Sequence, residues 1–415
     1  MRYGLVGGTL AHSYSPALHH RIGDYPYDLF PMAEEDLAAF FAARAFDGVN
    51  VTIPYKAAVI PYLDEVDSTA AALGAVNTVV NRGGRLFGYN TDAYGMQVLL
   101  ARAGISLAGE NVLILGSGGT AHTAFAVAQA AGAREIRMVS RTGKDGALTY
   151  AAAAAQSDTT VILNTTPVGM FPHEQEMPLP LDGFPCLRGV IDVIYHPLRT
   201  SLVLAARERG IPAAGGLYML VAQALRAAEL FGAPMREKDA DTVYCALLQS
   251  KENIVLIGMP GAGKTTVGRT LATRLGRPFF DTDEEIVREA GRSIPAIFAM
   301  EGENGFRARE SRVIARVSSL AEGAVIACGG GSVLRVENVT ALRRTGRLYF
   351  LTRDVAALPC DASRPLSATR ADILRLYERR LPLYRAAADA CVPVREGNVA
   401  GTGAAIAAEF REACR

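Results

Sequence analysis

The stretch Ile254-Val-Leu-Ile-Gly-Met-Pro-Gly-Ala-Gly-Lys-Thr-Thr266 decides the fold of the C-terminal part of this chain. Four apolar residues run into G-x-x-x-x-G-K-T, from Gly258 to Thr265, and the helical pattern Thr266–Leu275 follows at once. A strand, a glycine loop and a helix in that order cradle a nucleotide's phosphates. Backbone amides of Gly258, Gly261, Ala262 and Gly263 wrap the β-phosphate, Lys264 bridges β- and γ-oxygens, and the Thr265 hydroxyl faces Mg²⁺ where Thr266 continues the helix. ATP and Mg²⁺ are the expected ligands.

A second strand-to-glycine turn of another design lies upstream, at Val112-Leu-Ile-Leu-Gly-Ser-Gly-Gly-Thr-Ala121. Gly116, Ser117, Gly118, Gly119, Thr120 and Ala121 fit G-x-G-x-x-A. That pattern lets the backbone approach a pyrophosphate held at a helix N-terminus. An ordinary glycine-rich turn is the plain alternative. The next strand, Ile136–Ser140, ends in Ser140-Arg141-Thr142 and offers no acid for a ribose 2′-hydroxyl. Arg141 suits a 2′-phosphate instead, so NADP(H) is expected; otherwise it is a solvated loop arginine.

Around these two turns, short apolar runs alternate with longer helical patterns, the mark of βαβ units and parallel sheet. Strands are expected at Tyr3–Val6, Gly48–Ile53, Ala75–Val80, Val112–Leu115, Ile136–Ser140, Val161–Asn164, Val190–Val193, Ile254–Ile257, Val325–Cys328 and Arg347–Leu351. Helices are expected at Pro16–Ile22, Glu34–Ala45, Leu217–Phe231 and Lys238–Leu248. The fold class is α/β throughout. The pattern resets at residues 249–253, a junction of only a few residues. The chain's 415 residues, 50% hydrophobic and 20% charged, allow two or three domains. A net charge of +1 gives no electrostatic footprint for nucleic acid or an anionic membrane. No run approaches the ~18 continuous apolar residues of a membrane span, and the N-terminus does not read as a signal peptide. A cytoplasmic protein is expected. Its six cysteines are scattered without a C-x-x-C pair, and nothing in the sequence sets an oligomeric state.

Four segments near the N-terminus carry more chemistry than folding needs: Ala11-His-Ser-Tyr-Ser-Pro16, Asn50-Val-Thr-Ile-Pro-Tyr-Lys56, Gly74-Ala-Val-Asn-Thr78 and Gly88-Tyr-Asn-Thr-Asp-Ala93. A helix cap, a surface lysine and an Asx-turn would each explain one of them, but not all together. With Asn164-Thr-Thr-Pro-Val-Gly-Met170, Asp192-Val-Ile-Tyr195 and Gly216-Leu-Tyr-Met-Leu-Val-Ala-Gln223, they resemble the shikimate dehydrogenase family over residues 1–248. The resemblance implies a substrate lobe (1–100 and 217–248) around a Rossmann NADP lobe (101–216). Lys56 and Asp92 would form the acid/base pair, and Ser13 and Ser15 would hold a carboxylate. Thr52, Asn77, Asp92 and Gln223 would bind ring hydroxyls, Tyr195 would close the pocket, and Gly216 would line the cofactor. Two departures stand out. Gly143-Lys-Asp-Gly146 is short and has Lys144 where many relatives place a second arginine, and residues 148–158 are compressed, so one flanking helix should be reduced.

From Asn253 onward the chain resembles the shikimate kinase family. Beyond the phosphate loop, the motifs are Phe279-Phe-Asp-Thr-Asp-Glu284, Glu301-Gly-Glu-Asn-Gly-Phe-Arg307-Ala-Arg-Glu310, Cys328-Gly-Gly-Gly-Ser332, Ser363-Arg-Pro-Leu366 and Glu378-Arg-Arg-Leu-Pro-Leu-Tyr384. The resemblance implies that Asp283 holds ring hydroxyls and accepts a proton, while Arg307 and Arg380 clamp a carboxylate. Gly330 would present backbone to the substrate, Asp281 would hold Mg²⁺ through water, and Arg364 would reach the phosphates from a lid that is short here. A strand-end cap at Asp281/Asp283 and solvated arginines are the alternatives.

The two resemblances together imply reduction of 3-dehydroshikimate to shikimate with NADPH, then 3-phosphorylation of shikimate with ATP. Two alternatives remain open at this point: a quinate-preferring first domain, or one domain serving as an inactive regulatory or assembly module.

Overall fold

The computed structural model describes residues 2–10, 13–359, 369–395 and 397–414. Of the candidate site residues, Arg364 lies outside them. The chain forms two compact units, one of residues 1–196 and 200–247, the other of residues 197–199 and 248–415.

The first unit holds two sheets. Strands β1 (Tyr3–Gly7), β2 (Tyr27–Pro31), β3 (Gly48–Val51), β4 (Glu65–Val66), β5 (Thr78–Arg82) and β6 (Arg85–Tyr89) make a mixed sheet in the order β2-β1-β3-β5-β6-β4. β3 stops short of the expected Ile53, because Pro54 has no N–H to give a ladder and Tyr55 N–H already turns back to the Thr52 carbonyl. β5 runs later than expected and turns into β6 through Gly83-Gly84, both at positive φ, in antiparallel register with Arg82 opposite Arg85. A two-residue Gly-Gly loop between strands is a strong hairpin signal.

The second sheet is all parallel: β7 (Asn111–Leu115), β8 (Glu135–Val139), β9 (Val161–Asn164), β10 (Gly189–Asp192) and β11 (Ala213–Ala214), in the order β11-β10-β9-β7-β8. The order reverses beside β7, so the turn at Gly116 opens where a doubly wound sheet takes its ligands. Every residue of β7 is buried, which is why it reads as one apolar run rather than an alternation. The compressed segment after β8 holds a helix of five residues, Tyr150–Ala154, capped by the Thr149 hydroxyl.

The other unit has a five-stranded parallel sheet: β12 (Asn253–Ile257), β13 (Phe279–Asp281), β14 (Val325–Ala327), β15 (Gly346–Thr352) and β16 (Ala390–Pro393), in the order β13-β14-β12-β15-β16. The phosphate loop leaves the central strand. Leu256 is fully buried on one face of the sheet and Val255 on the other. Truncating Leu256 to alanine should cost ~2–5 kcal/mol, the range for emptying a packed core site of that size. No helix among the described residues is long and apolar enough to cross a membrane.

Candidate active sites

In the first unit, chain segments far apart in sequence meet at one cavity of about 540 Å³. Ser13, Ser15, Thr52, Lys56, Asn77, Asp92, Tyr195 and Gln223 all line it, together with Thr120 and Gly216 from the cofactor set. Ser13 and Ser15 sit at the start of the helix Ser15–Ile22, where the Ser13 hydroxyl also accepts the Ser15 N–H. Thr52 and Lys56 lie just after β3, Asn77 just before β5, and Asp92 opens the helix Asp92–Arg102. Gln223 comes from the helix Leu217–Phe231.

The Lys56 ammonium donates to the Asp92 carboxylate at 2.6 Å, and the Asn77 amide donates to the other Asp92 oxygen at 3.0 Å. Asn90 holds the start of that helix, accepting the Asp92 N–H at 2.9 Å while its amide donates to the Ala75 carbonyl. Burial raises the Tyr195 phenol's pKa, so it faces the cavity as a neutral hydroxyl. Behind this wall, buried Asp192 accepts from Thr200, Asn164 and the Ile194 N–H. Burial pushes its pKa up to about 6, against the pull of those donors.

Gly116, at φ 118°, leaves β7 where a Cβ would stand 2.6 Å from the Thr165 hydroxyl. Around Gly118 and Gly119 a Cβ would meet nothing within 4 Å. The helix Gly119–Ala130 thus starts with its backbone open to a ligand, and Ala121 is packed beneath it. Gly216 is bound to the fold, its N–H on the Ile194 carbonyl at 2.8 Å. At the end of β8, Ser140 is buried and its hydroxyl accepts the Gly143 N–H, while Arg141 and Thr142 are exposed. A tight turn followed by an exposed guanidinium fits a dinucleotide with an added phosphate.

The second unit has a cavity of about 850 Å³ lined by Gly261, Gly263, Lys264, Thr265, Thr266, Asp281, Asp283, Arg307, Gly330 and Arg380. The loop turns through Gly258, Gly261 and Gly263, all at positive φ, with Ala262 buried between the last two. Lys264 donates to the Gly258 and Met259 carbonyls at 2.8 and 2.9 Å. The Thr265 hydroxyl donates to Asp281 at 2.7 Å, and the other Asp281 oxygen caps the helix Thr282–Ala290 through the Asp283 and Glu284 N–H groups. Asp281 is therefore a helix cap and a neighbour of the phosphate loop at once. The pair offers the hard oxygen donors that Mg²⁺ prefers. Among the described residues no group of three or more His, Cys, Asp or Glu side chains forms a separate metal site.

Arg307 and Arg380 are buried, at 7% and 3% exposure. Arg307 donates to Glu310 at 2.6 Å, and Arg380 to the Gly330 carbonyl at 3.0 Å. Yet Arg307 Nε, Arg380 Nε and Glu310 Oε1 have no partner among the described residues. Two guanidinium side chains lining one cavity fit a bound carboxylate. Burial lowers the Arg380 pKa, with Arg307 adding to the effect, and burial raises that of Glu310 against the pull of Arg307. The glycine triplet is a matter of space. A Cβ on Gly329 would stand 2.6 Å from Asp283, on Gly330 2.8 Å from Pro260, and on Gly331 2.0 Å from Arg307.

Comparison with known proteins finds a family for each unit. The shikimate kinase family model matches residues 260–415, and that of the shikimate dehydrogenase substrate binding domain matches residues 5–79. The shikimate dehydrogenase (NADP(+)) of Symbiobacterium thermophilum is 36% identical over 279 residues, covering 60% of this chain and 94% of that protein. The chain belongs to the shikimate dehydrogenase family and carries a shikimate kinase domain behind it. It is a bifunctional shikimate-pathway enzyme, an NADP-dependent oxidoreductase and an ATP phosphotransferase. A shikimate dehydrogenase from Thermus thermophilus, solved in complex with NADP(H) and shikimate, is 32% identical and covers 59% of this chain and 97% of its own, with TM-score 0.54. A quinate dehydrogenase from Corynebacterium glutamicum, solved in complex with NAD, is 27% identical and covers 60% and 98%, with TM-score 0.52.

Sequence reasoning missed several side chains at these sites. Glu310 follows Arg307 by three residues on one helix, a spacing that signals a pair. In the kinase unit, Arg353 donates to the Gly261 carbonyl at 3.2 Å and lines the cavity, and no local pattern marks it. In the dehydrogenase unit, His19 also faces the cavity; burial lowers its pKa to about 3, so it is a neutral ring.

Proposed function

We propose that the residues implied by the resemblance carry the two reactions, the dehydrogenase over residues 1–248 (substrate lobe 1–100 and 217–248, NADP lobe 101–216) and the kinase over 253–415. The observation that carries the first assignment is the Lys56–Asp92 pair at 2.6 Å in a cavity that the whole candidate set lines. Lys56 donates the proton to the alkoxide that develops as the ketone of 3-dehydroshikimate is reduced, and Asp92 keeps the ammonium aimed. Ser13 and Ser15 hold the carboxylate; Thr52, Asn77, Asp92 and Gln223 hold ring hydroxyls; Tyr195 walls the pocket. NADPH, when bound at Gly116–Ala121 with Arg141 at its 2′-phosphate, supplies the hydride. Ser140, Thr142 and Gly216 complete its surroundings.

In the kinase unit, Arg307 and Arg380, which both line the cavity, take the shikimate carboxylate between them. Asp283 and the Gly330 backbone hold the ring, and Asp283 accepts the proton of the attacking 3-hydroxyl. Gly258 to Thr266 holds the ATP phosphates. Lys264 and Arg364 offset charge on the phosphoryl group in flight. Thr265 and Asp281 would hold Mg²⁺, whose charge offsets that of the phosphates. A cytoplasmic location accords with this metabolic chemistry.

Lys56→Ala should abolish NADPH oxidation and leave shikimate-dependent ADP formation intact, and Lys264→Ala should do the reverse. Loss of both activities from either single change would contradict two separate sites. A second reading, quinate as a substrate of the first unit, is favoured by the likeness to a quinate dehydrogenase. Oxidation of quinate at a rate near that of shikimate would support it.

A further inference from the structure

A line of side chains runs from the edge strand β2 to the carboxylate of Asp92. Its direction is fixed from the Asp92 end. A carboxylate only accepts, so Asn77 must turn its NH₂ group to Asp92, at 3.0 Å. The Asn77 oxygen then points away and accepts the Thr91 N–H at 2.8 Å and the Thr78 hydroxyl at 3.1 Å. With its proton committed, the Thr78 oxygen accepts the Asn50 amide at 3.1 Å. The Asn50 oxygen, reversed in turn, accepts the Tyr27 hydroxyl at 2.7 Å. Each link permits one orientation of the next. Thr78 is fully buried, so water does not compete for its hydroxyl.

We propose that Tyr27, Asn50 and Thr78 are positioning residues that lock the Asn77 amide, and through it the Asp92 carboxylate, in the orientation that aims Lys56. The proposal rests on the reading of Lys56 and Asp92 as the acid/base pair. Without the Thr78 hydroxyl the Asn77 oxygen loses a donor, and the amide is less firmly held with its NH₂ toward Asp92. At the outer end, burial holds the Tyr27 phenol's pKa above its ordinary value, so it remains a donor. Tyr27 is stacked on neutral His19, ring centroids 3.8 Å apart, which keeps that hydroxyl in place without adding charge.

The test uses the full chain and 3-dehydroshikimate reduction. Thr78→Val keeps the shape and removes the hydroxyl. It should lower kcat about tenfold with KM for NADPH unchanged, whereas Thr78→Ser should stay within about twofold of wild type. Tyr27→Phe, one aromatic ring for another at the far end, should lower kcat about threefold. The double variant should be no slower than Thr78→Val alone, because one cut already severs the line. Wild-type kcat in both Thr78→Val and Tyr27→Phe, or losses that multiply in the double variant, would overturn the proposal. If Thr78→Val does not fold, Tyr27→Phe decides: an unchanged kcat overturns the line. Lys56→Ala separates the two readings. If it keeps turnover, the acid/base pair itself is wrong; if it abolishes turnover while Tyr27 and Thr78 prove silent, only the line is wrong.

Discussion

The two glycine turns differ in where they keep their charge. The turn at Gly116 carries no ionisable side chain; its backbone stands open at Gly118 and Gly119, and the cation stands one strand away at the exposed Arg141. The turn at Gly258 has its cation built in, Lys264, buried against two carbonyls of its own loop. Each leans on an aspartate, but differently. Asp192 reaches the first turn through Asn164, the neighbour of Thr165. Asp281 touches the second directly through Thr265. A dinucleotide that donates hydride keeps its phosphates throughout and needs only to be held. A triphosphate that gives up a phosphoryl group develops charge in transit, and a lysine must be present where that happens.

The sharpest break in this comparison is Lys264→Ala. It should reduce kinase kcat about 10³-fold, the size of losing a principal charge-stabilising group, and leave dehydrogenase kcat unchanged in the same preparation. Next in size is the support under the first turn. The Asp192 carboxyl is raised by burial from 3.8 to about 6 in the folded chain. Its contribution to stability is therefore present below about pH 4 and lost as pH rises through 6. The stability of wild type minus that of Asp192→Asn should fall by about 3 kcal/mol between pH 3 and 7, at about 1.4 kcal/mol per pH unit of pKa change. Urea midpoints for loss of dehydrogenase activity check this, and a pH-independent difference would refute it.

Gly331→Ala comes third. The new methyl would intrude on the Arg307 guanidinium, and overpacking of about 1–3 kcal/mol should lower kinase kcat/KM for shikimate about 10–100-fold. KM for ATP measured alongside should hardly move. The smallest effect belongs to the exposed cation. Arg141→Gln should raise KM for NADPH about tenfold, the loss of a charge-assisted contact, with KM for NADH unaltered. A wild-type enzyme using NADH as well as NADPH would remove Arg141 from the account.

What could be read from sequence follows the range of the interactions. β7 and β12 are buried on both faces, so their apolar runs and the glycine turns behind them are local signals, and both were legible. The helix Leu217–Phe231 matches its expected limits because an apolar stripe and the Gly232 cap, at φ 67°, mark it. The edge strands β2 and β16 are short and partly exposed, and their sequences carry too little pattern to announce them. The hairpin of β5 and β6 was legible in Gly83-Gly84 and was missed. At the sites, Lys56 and Asp92 stood out only inside motifs, since 36 residues separate two groups that touch. The Tyr27–Asn50–Thr78 line depends on register across β2, β1, β3 and β5, which no single segment encodes. Arg364 is a sequence assignment that falls outside the described residues.

The central claim is that one domain makes what the other consumes. It is tested most directly by supplying 3-dehydroshikimate, NADPH, ATP and Mg²⁺ to the Lys56→Ala variant and following ADP. The account predicts no ADP above background until shikimate is added, then formation at the wild-type rate. ADP released at the same rate without shikimate, or none after its addition, would contradict it.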